Sequence, residues 1–134
     1  MKKLFVPFNI AKKLKDLGFD EDSMGYYNPD GSLHLIDSAA FHYDGISKNS
    51  GYQDIIAAPL WQQVTAWLRN EKKINVFIGF RPNAKKWDSH YYDMNLNGKE
   101  YVKSQTMEKY MTSEVFDTYE QALESSIINY INEN

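Results

Sequence analysis

The chain has 134 residues, 43% hydrophobic and 25% charged, with a formal net charge of -3. That composition belongs to a globular chain long enough to bury its own core, and the negative balance argues against a protein whose main task is gripping phosphate backbones. Cysteine is absent, which excludes disulfides, thiolate zinc sites and cysteine nucleophiles and fits a reducing compartment.

The apolar run 4–8 near the start is too short for a signal peptide or a membrane span, so a cytoplasmic protein without a membrane partner is expected. Residues 5–18 predict a first helix, with Pro7 near its start and Ile10, Leu14 and Leu17 along one stripe. Lys12, Lys13 and Lys15 lie off that stripe, towards the negative end of the helix dipole. Gly18 reads as a left-handed cap with Phe19 folding back onto the last turn. The acids Asp20, Glu21 and Asp22 follow as surface linker.

Residues 24–27 and 33–36 flank Asn28-Pro29-Asp30-Gly31, where proline presets one turn dihedral and glycine supplies a positive one, so a hairpin is expected. Residues 37–56 show no sustained period and read as a long irregular loop, either functional, mobile or hiding a short element; 38–43 has room for one helical turn.

The strongest local order lies in 57–80. Leu60, Val64, Trp67 and Leu68 share one helical face, and Pro59 suits a first helical position. The period then changes to two: Ile74, Val76, Ile78 and Phe80 point one way, Asn75, Phe77, Gly79 and Arg81 the other. A polar turn, 81–86, leads to an alternating strand, 87–96, with His90, Tyr92, Met94 and Leu96 on one face. Asn97-Gly98 is a two-residue hairpin signal, and 99–103 returns from it. Residues 112–116 have the composition of one more strand. The last helix opens at Asp117 or Thr118, with Glu120 or Gln121 completing a capping box. Its stripe is Tyr119, Leu123, Ile127 and Tyr130, with Ala122 and Ile131 beside it. The expected architecture is one α+β domain over 1–134, mostly antiparallel sheet packed with about three helices, in the order α-β-β-loop-α-β-β-β-α.

Chemical motifs are sparse. His34, Asp37, His42 and Asp44 are near neighbours able in principle to bind a divalent cation or relay a proton, but their spacing matches no defined ligand pattern. Asp88, His90 and Asp93 form a weaker group, because His90 and Asp93 fall on opposite strand faces. No nucleophile elbow, Walker A loop or dinucleotide glycine pattern is present, which weighs against an enzyme and implies no cofactor or metal. The order from 58 to 132 is shared with double-stranded RNA-binding domains, yet the start of the last helix holds Asp117, Glu120 and Glu124, which repel a phosphate backbone. Arg81, Lys85 and Lys86 beside Trp87 remain the nucleic-acid candidate. Aromatic residues make up 15% of the chain and include ten tyrosines, which suits a binding surface.

Residues 5–7, 14–19, 25–27, 58–64 with Trp67 and Leu68, and 119–122 together resemble a group of small proteins encoded by phages and prophages of Bacteroides-type gut bacteria. The resemblance implies a phage or mobile-element product and brings no activity to any residue. The expected function is therefore a small cytosolic accessory protein that binds another protein, a host factor or its own copy. Phe41, Tyr43 and Tyr52 are the candidate contact residues, because aromatic anchors beside acids are what interface hot spots use.

Overall fold

The computed structural model describes residues 2–35, 54–95 and 114–134. Among them, three α-helices and two small antiparallel sheets give the expected α+β class. The chain forms two compact units, Met1–Val64 and Thr65–Asn134.

In the first unit a 3-10 turn, Lys2–Leu4, leads into helix α1, Phe8–Asp16. The helix begins three residues later than 5–18 predicts, because the backbone upstream is held elsewhere. Phe5 bridges Leu60, the Val6 amide donates to the Pro59 carbonyl (3.0 Å), and Pro7 is the extended residue flanking the helix. Of the expected stripe Ile10 and Leu14 are buried, together with Ala11, while Leu17 stands just past the helix end and is half-buried. At the other end Gly18 has φ +95°, its amide donates to the Lys15 carbonyl (3.0 Å), and the Phe19 amide donates to the Leu14 carbonyl (2.9 Å). Those two bonds define a Schellman cap, and the Phe19 and Leu14 side chains are both fully buried.

Strands β1, Gly25–Tyr27, and β2, Leu33–Leu35, pair around the expected turn, in which Gly31 has φ +87° and lies against the Phe8 ring. The Ser32 amide and hydroxyl both donate to Asp30 Oδ1 (2.9 and 2.6 Å) and hold that carboxyl below its ordinary pKa. Strand β3, Ile56–Ala57, was not distinguished from the irregular stretch by periodicity, since two residues are too few to show any. It pairs antiparallel with β1, giving the sheet order β2-β1-β3. The Tyr27 hydroxyl donates to the Val6 carbonyl (2.6 Å), and burial pushes the phenol's pKa up. The core of this unit is Phe5, Val6, Ile10, Leu14, Phe19, Tyr27, Ala57, Ala58, Trp61 and Val64.

Helix α2, Trp61–Trp67, carries the chain from the first unit into the second. It does not begin at Pro59 as expected: Pro59 is buried in the extended segment that receives Val6 and Leu60 is half-buried in the bridge to Phe5, while Val64, Trp67 and Leu68 of the expected stripe are buried together with Trp61. A wider π turn, Leu68–Lys72, ends the helix, and Lys73 (φ 58°) closes it by donating its amide to the Leu68 carbonyl.

In the second unit strands β4, Ile74–Arg81, and β5, Lys86–Asp93, form a hairpin. Helix α3, Tyr119–Glu133, lies on one face of that hairpin. Thr118 caps the helix, its hydroxyl accepting from the Gln121 amide (3.1 Å), as one of the two expected capping boxes requires. Ala122, Leu123, Ile127, Tyr130 and Ile131 are buried as expected, together with Ser126. Tyr119 is not: it stands in the first turn, 42% exposed, with only its ring edge against Trp87. Of residues 114–116, only Phe116 joins the sheet, bridging Trp87. The possible turn at 38–43, the Asn97-Gly98 hairpin and the return strand 99–103 lie outside the described residues, as does Leu96. Among the described residues no helix is long and apolar enough to cross a membrane.

Candidate functional site

The β4–β5 hairpin carries two exposed aromatic residues, Phe77 and Phe80, and Tyr119 at the start of α3 is a third. The hairpin register sets Val76 against Tyr91, Phe77 against His90, Gly79 against Asp88 and Phe80 against Trp87, with the turn at 82–85 held by the Lys85 amide donating to the Pro82 carbonyl (3.3 Å). Lys85 takes a positive φ of 53° in that turn. Period-two alternation then gives the hairpin two chemically different faces.

The face under α3 carries Ile74 and Val76, both buried, and Tyr91, whose ring meets Tyr130 edge-on and whose hydroxyl donates to Glu133. Burial and the Asp93 carboxylate push the Tyr130 phenol's pKa up. Towards the turn the same face runs past the start of the helix. There Phe80, 50% exposed, contacts Trp87 at 4.9 Å between ring centroids, and Trp87 meets Tyr119 at 5.5 Å. Phe80, which alternation groups with Ile74 and Val76 on one face, is not buried as they are. Phe80 is the last apolar residue of its eight-residue strand and remains half exposed beside Trp87. Lys86, next to Trp87 in the chain, is ion-paired with Asp117, and Glu120, next to Tyr119, is exposed.

The opposite face carries an acid-base group. Asp88, buried, accepts from Arg81 Nε (2.6 Å), and His90 Nε2 stands 3.6 Å from its other oxygen. The Phe77 and Tyr92 rings flank the His90 imidazole, with Phe77 stacked at 6.2 Å. Gly79 makes room for this: a Cβ there would lie 2.6 Å from Asp88 Oδ1. Substituting Gly79→Ala is therefore expected to force the carboxylate away from Arg81 and to destabilise the protein by about 1–3 kcal/mol. Urea denaturation checks it. The cost should shrink markedly in an Asp88→Ala background, where the obstructing oxygens are gone, and unequal single and combined effects are the signature of direct contact.

The sequence candidates fall as follows. His34 is exposed on β2, stacked on its cross-strand partner Tyr26 (5.4 Å) and 3.4 Å from the Ser32 hydroxyl. Asp37, His42 and Asp44, which would have to join it, lie outside the described residues, as do Phe41, Tyr43 and Tyr52. Among the described residues no group of three or more His, Asp or Glu side chains is gathered as a metal site would be. Of the basic group, Arg81 is paired with Asp88 and Lys86 with Asp117, while Lys85 is exposed in the turn and Trp87 is part of the ring cluster. Asp88 and His90 come together as alternation requires and Asp93 does not. The cluster Phe80, Trp87 and Tyr119 escaped sequence reasoning, although Thr118 as a cap already places Tyr119 ahead of the first full helical turn. Comparison with protein-family models, with curated proteins and with solved structures finds no match.

Proposed function

We propose that this chain is a small cytosolic accessory protein of the phage type its sequence resembles, and that it works by binding another protein through the aromatic end of the β4–β5 hairpin. The observation that carries this reading is the contiguous set of rings Phe80, Trp87 and Tyr119, two of them well exposed on a rigid hairpin and helix start. Aromatic rings bury large area at low entropic cost and dominate protein interfaces. Nucleic acid is the less suitable occupant, since Arg81 and Lys86 are already neutralised by Asp88 and Asp117.

The test is a tagged pull-down from host-cell lysate, with and without nuclease, set against a Phe80→Ser, Tyr119→Ala double variant. A protein retained after nuclease and lost in the folded variant is the expected result. Capture that the variant leaves unchanged, or that nuclease abolishes, overturns the reading. A Phe41, Tyr43 and Tyr52 triple-alanine variant in the same experiment assigns any share of the contact to those residues.

A further inference from the structure

Strand β4 turns one edge to β5 and leaves the other without a strand among the described residues. Which backbone groups face that edge follows from the ladder. Trp87 exchanges both of its backbone bonds with Phe116 (2.8 and 2.7 Å), so its N–H and C=O point away from β4. Phe80, opposite Trp87, must then point its own groups away from β5, and by the period of two so must Ile78, Val76 and Ile74. The Met94 amide donating to the Lys73 carbonyl (2.7 Å) gives the same phase from the other end of the strand. Four residues thus offer a continuous row of donors and acceptors.

Such edges are ordinarily guarded by charge, proline, a bulge or shortness. From Ile74 to Phe80 this one carries no charge and no proline, and it runs in an eight-residue strand. Phe77 and Phe80 are 45% and 50% exposed on its two faces.

We propose that β4 pairs with β4 of a second copy of this chain, antiparallel, about a two-fold axis at Phe77. Hydrogen bonds form only when outward residues oppose outward residues, which excludes every register displaced by one. Of the registers left, the one setting Ile74 against Phe80 of the second copy and Val76 against its Ile78 employs all four outward residues on each strand; sliding by two leaves some unpaired. On the face under α3 that register brings apolar side chains against apolar side chains. On the other face it sets the two Phe77 rings directly opposite each other in a non-hydrogen-bonded pair, with Cα atoms about 4.5 Å apart. Lys73 of each copy approaches Arg81 of the other at the two ends, where Asp88 already neutralises Arg81. The contact is isologous, so it closes at two copies, and it turns a two-stranded sheet into one of four strands, a size that supports itself.

This self-pairing uses the strand edge and is read on the purified full chain alone, so its failure is separable from failure of the partner-binding reading. By sedimentation equilibrium the protein is expected at twice its chain mass of 15.6 kDa. Phe77→Lys, which sets two ammonium groups face to face at the axis, and Ile78→Pro, which removes an outward N–H, are each expected to bring the mass down to that of one chain with unchanged circular dichroism. Should the proline variant not fold, the exposed Phe77→Lys site still decides. Because the chain has no cysteine, Phe77→Cys introduces a single thiol, and mild oxidation is expected to link it to its copy while Phe80→Cys stays unlinked. A single-chain mass at every concentration overturns the proposal. So does a dimer that survives in folded Phe77→Lys, or one that links at position 80 and not at 77.

Discussion

Replacing Trp67 with alanine is expected to destabilise the protein by about 3–5 kcal/mol, the range for deleting a large buried aromatic side chain. Trp67 is 3% exposed at the end of α2, and the Lys72 ammonium lies over its ring at 5.4 Å, so truncation removes both packing and a cation–π contact. The residue also sits directly before the π turn and the left-handed Lys73 that aim β4, so little rearrangement is available to fill the space. Urea denaturation should show a lower midpoint with an unchanged slope. Trp67→Phe, which keeps most of the ring, should lose clearly less. A loss below roughly 1 kcal/mol would mean the side chain is not buried.

Replacing Phe19 with alanine is expected to cost a similar amount, about 3–5 kcal/mol. Phe19 is the largest of the fully buried side chains among the described residues, and its amide donates to the Leu14 carbonyl in the cap of α1. The informative comparison is with its neighbour. Gly18→Ala meets nothing within 4 Å, so its cost is purely the left-handed backbone, roughly 1–2 kcal/mol. Phe19→Ala should therefore be the more damaging of the two, although glycine is the residue that marks the motif in sequence. Equal losses would show that the cap, and not the core contact, governs the end of α1.

Legibility in the sequence followed how local the deciding physics was. The cap at Gly18, the turn at Gly31, the Thr118 cap and the alternation in β4 each depend on residues within a few positions, and each is found where expected. The start of α1 was not legible, because Val6 is drawn out of the helix by the Pro59 carbonyl, a partner distant in the chain. Strand β3 was hidden for the same reason, since only β1 makes it a strand. For the site, alternation alone placed Phe77 and Arg81 on one face and His90 on one face of the next strand. What it could not supply was the register setting Gly79 against Asp88 and Phe80 against Trp87, or the point at which α3 stops covering the hairpin. Tyr119, placed by its spacing in the stripe of α3, and Phe80, placed by alternation beside Ile74 and Val76, are each about half exposed.

The two sheets close their strand pairs over very different lengths of chain. The β4–β5 pair is bridged by four turn residues, 82–85, whereas β3 reaches β1 only after the chain has travelled from Tyr27 to Ile56. Hairpins of the first kind zip in about 1–10 μs, while the second pairing waits on closure of a long interval and is slower for reasons of entropy alone. The same asymmetry governs tolerance to insertion. Closure entropy grows only logarithmically with the length of a flexible loop, by about 0.6 kcal/mol per doubling, whereas a slip of one residue in the β4–β5 register turns every side chain of β5 to the other face. The β4–β5 hairpin is accordingly the segment whose pairing register length variation must leave intact.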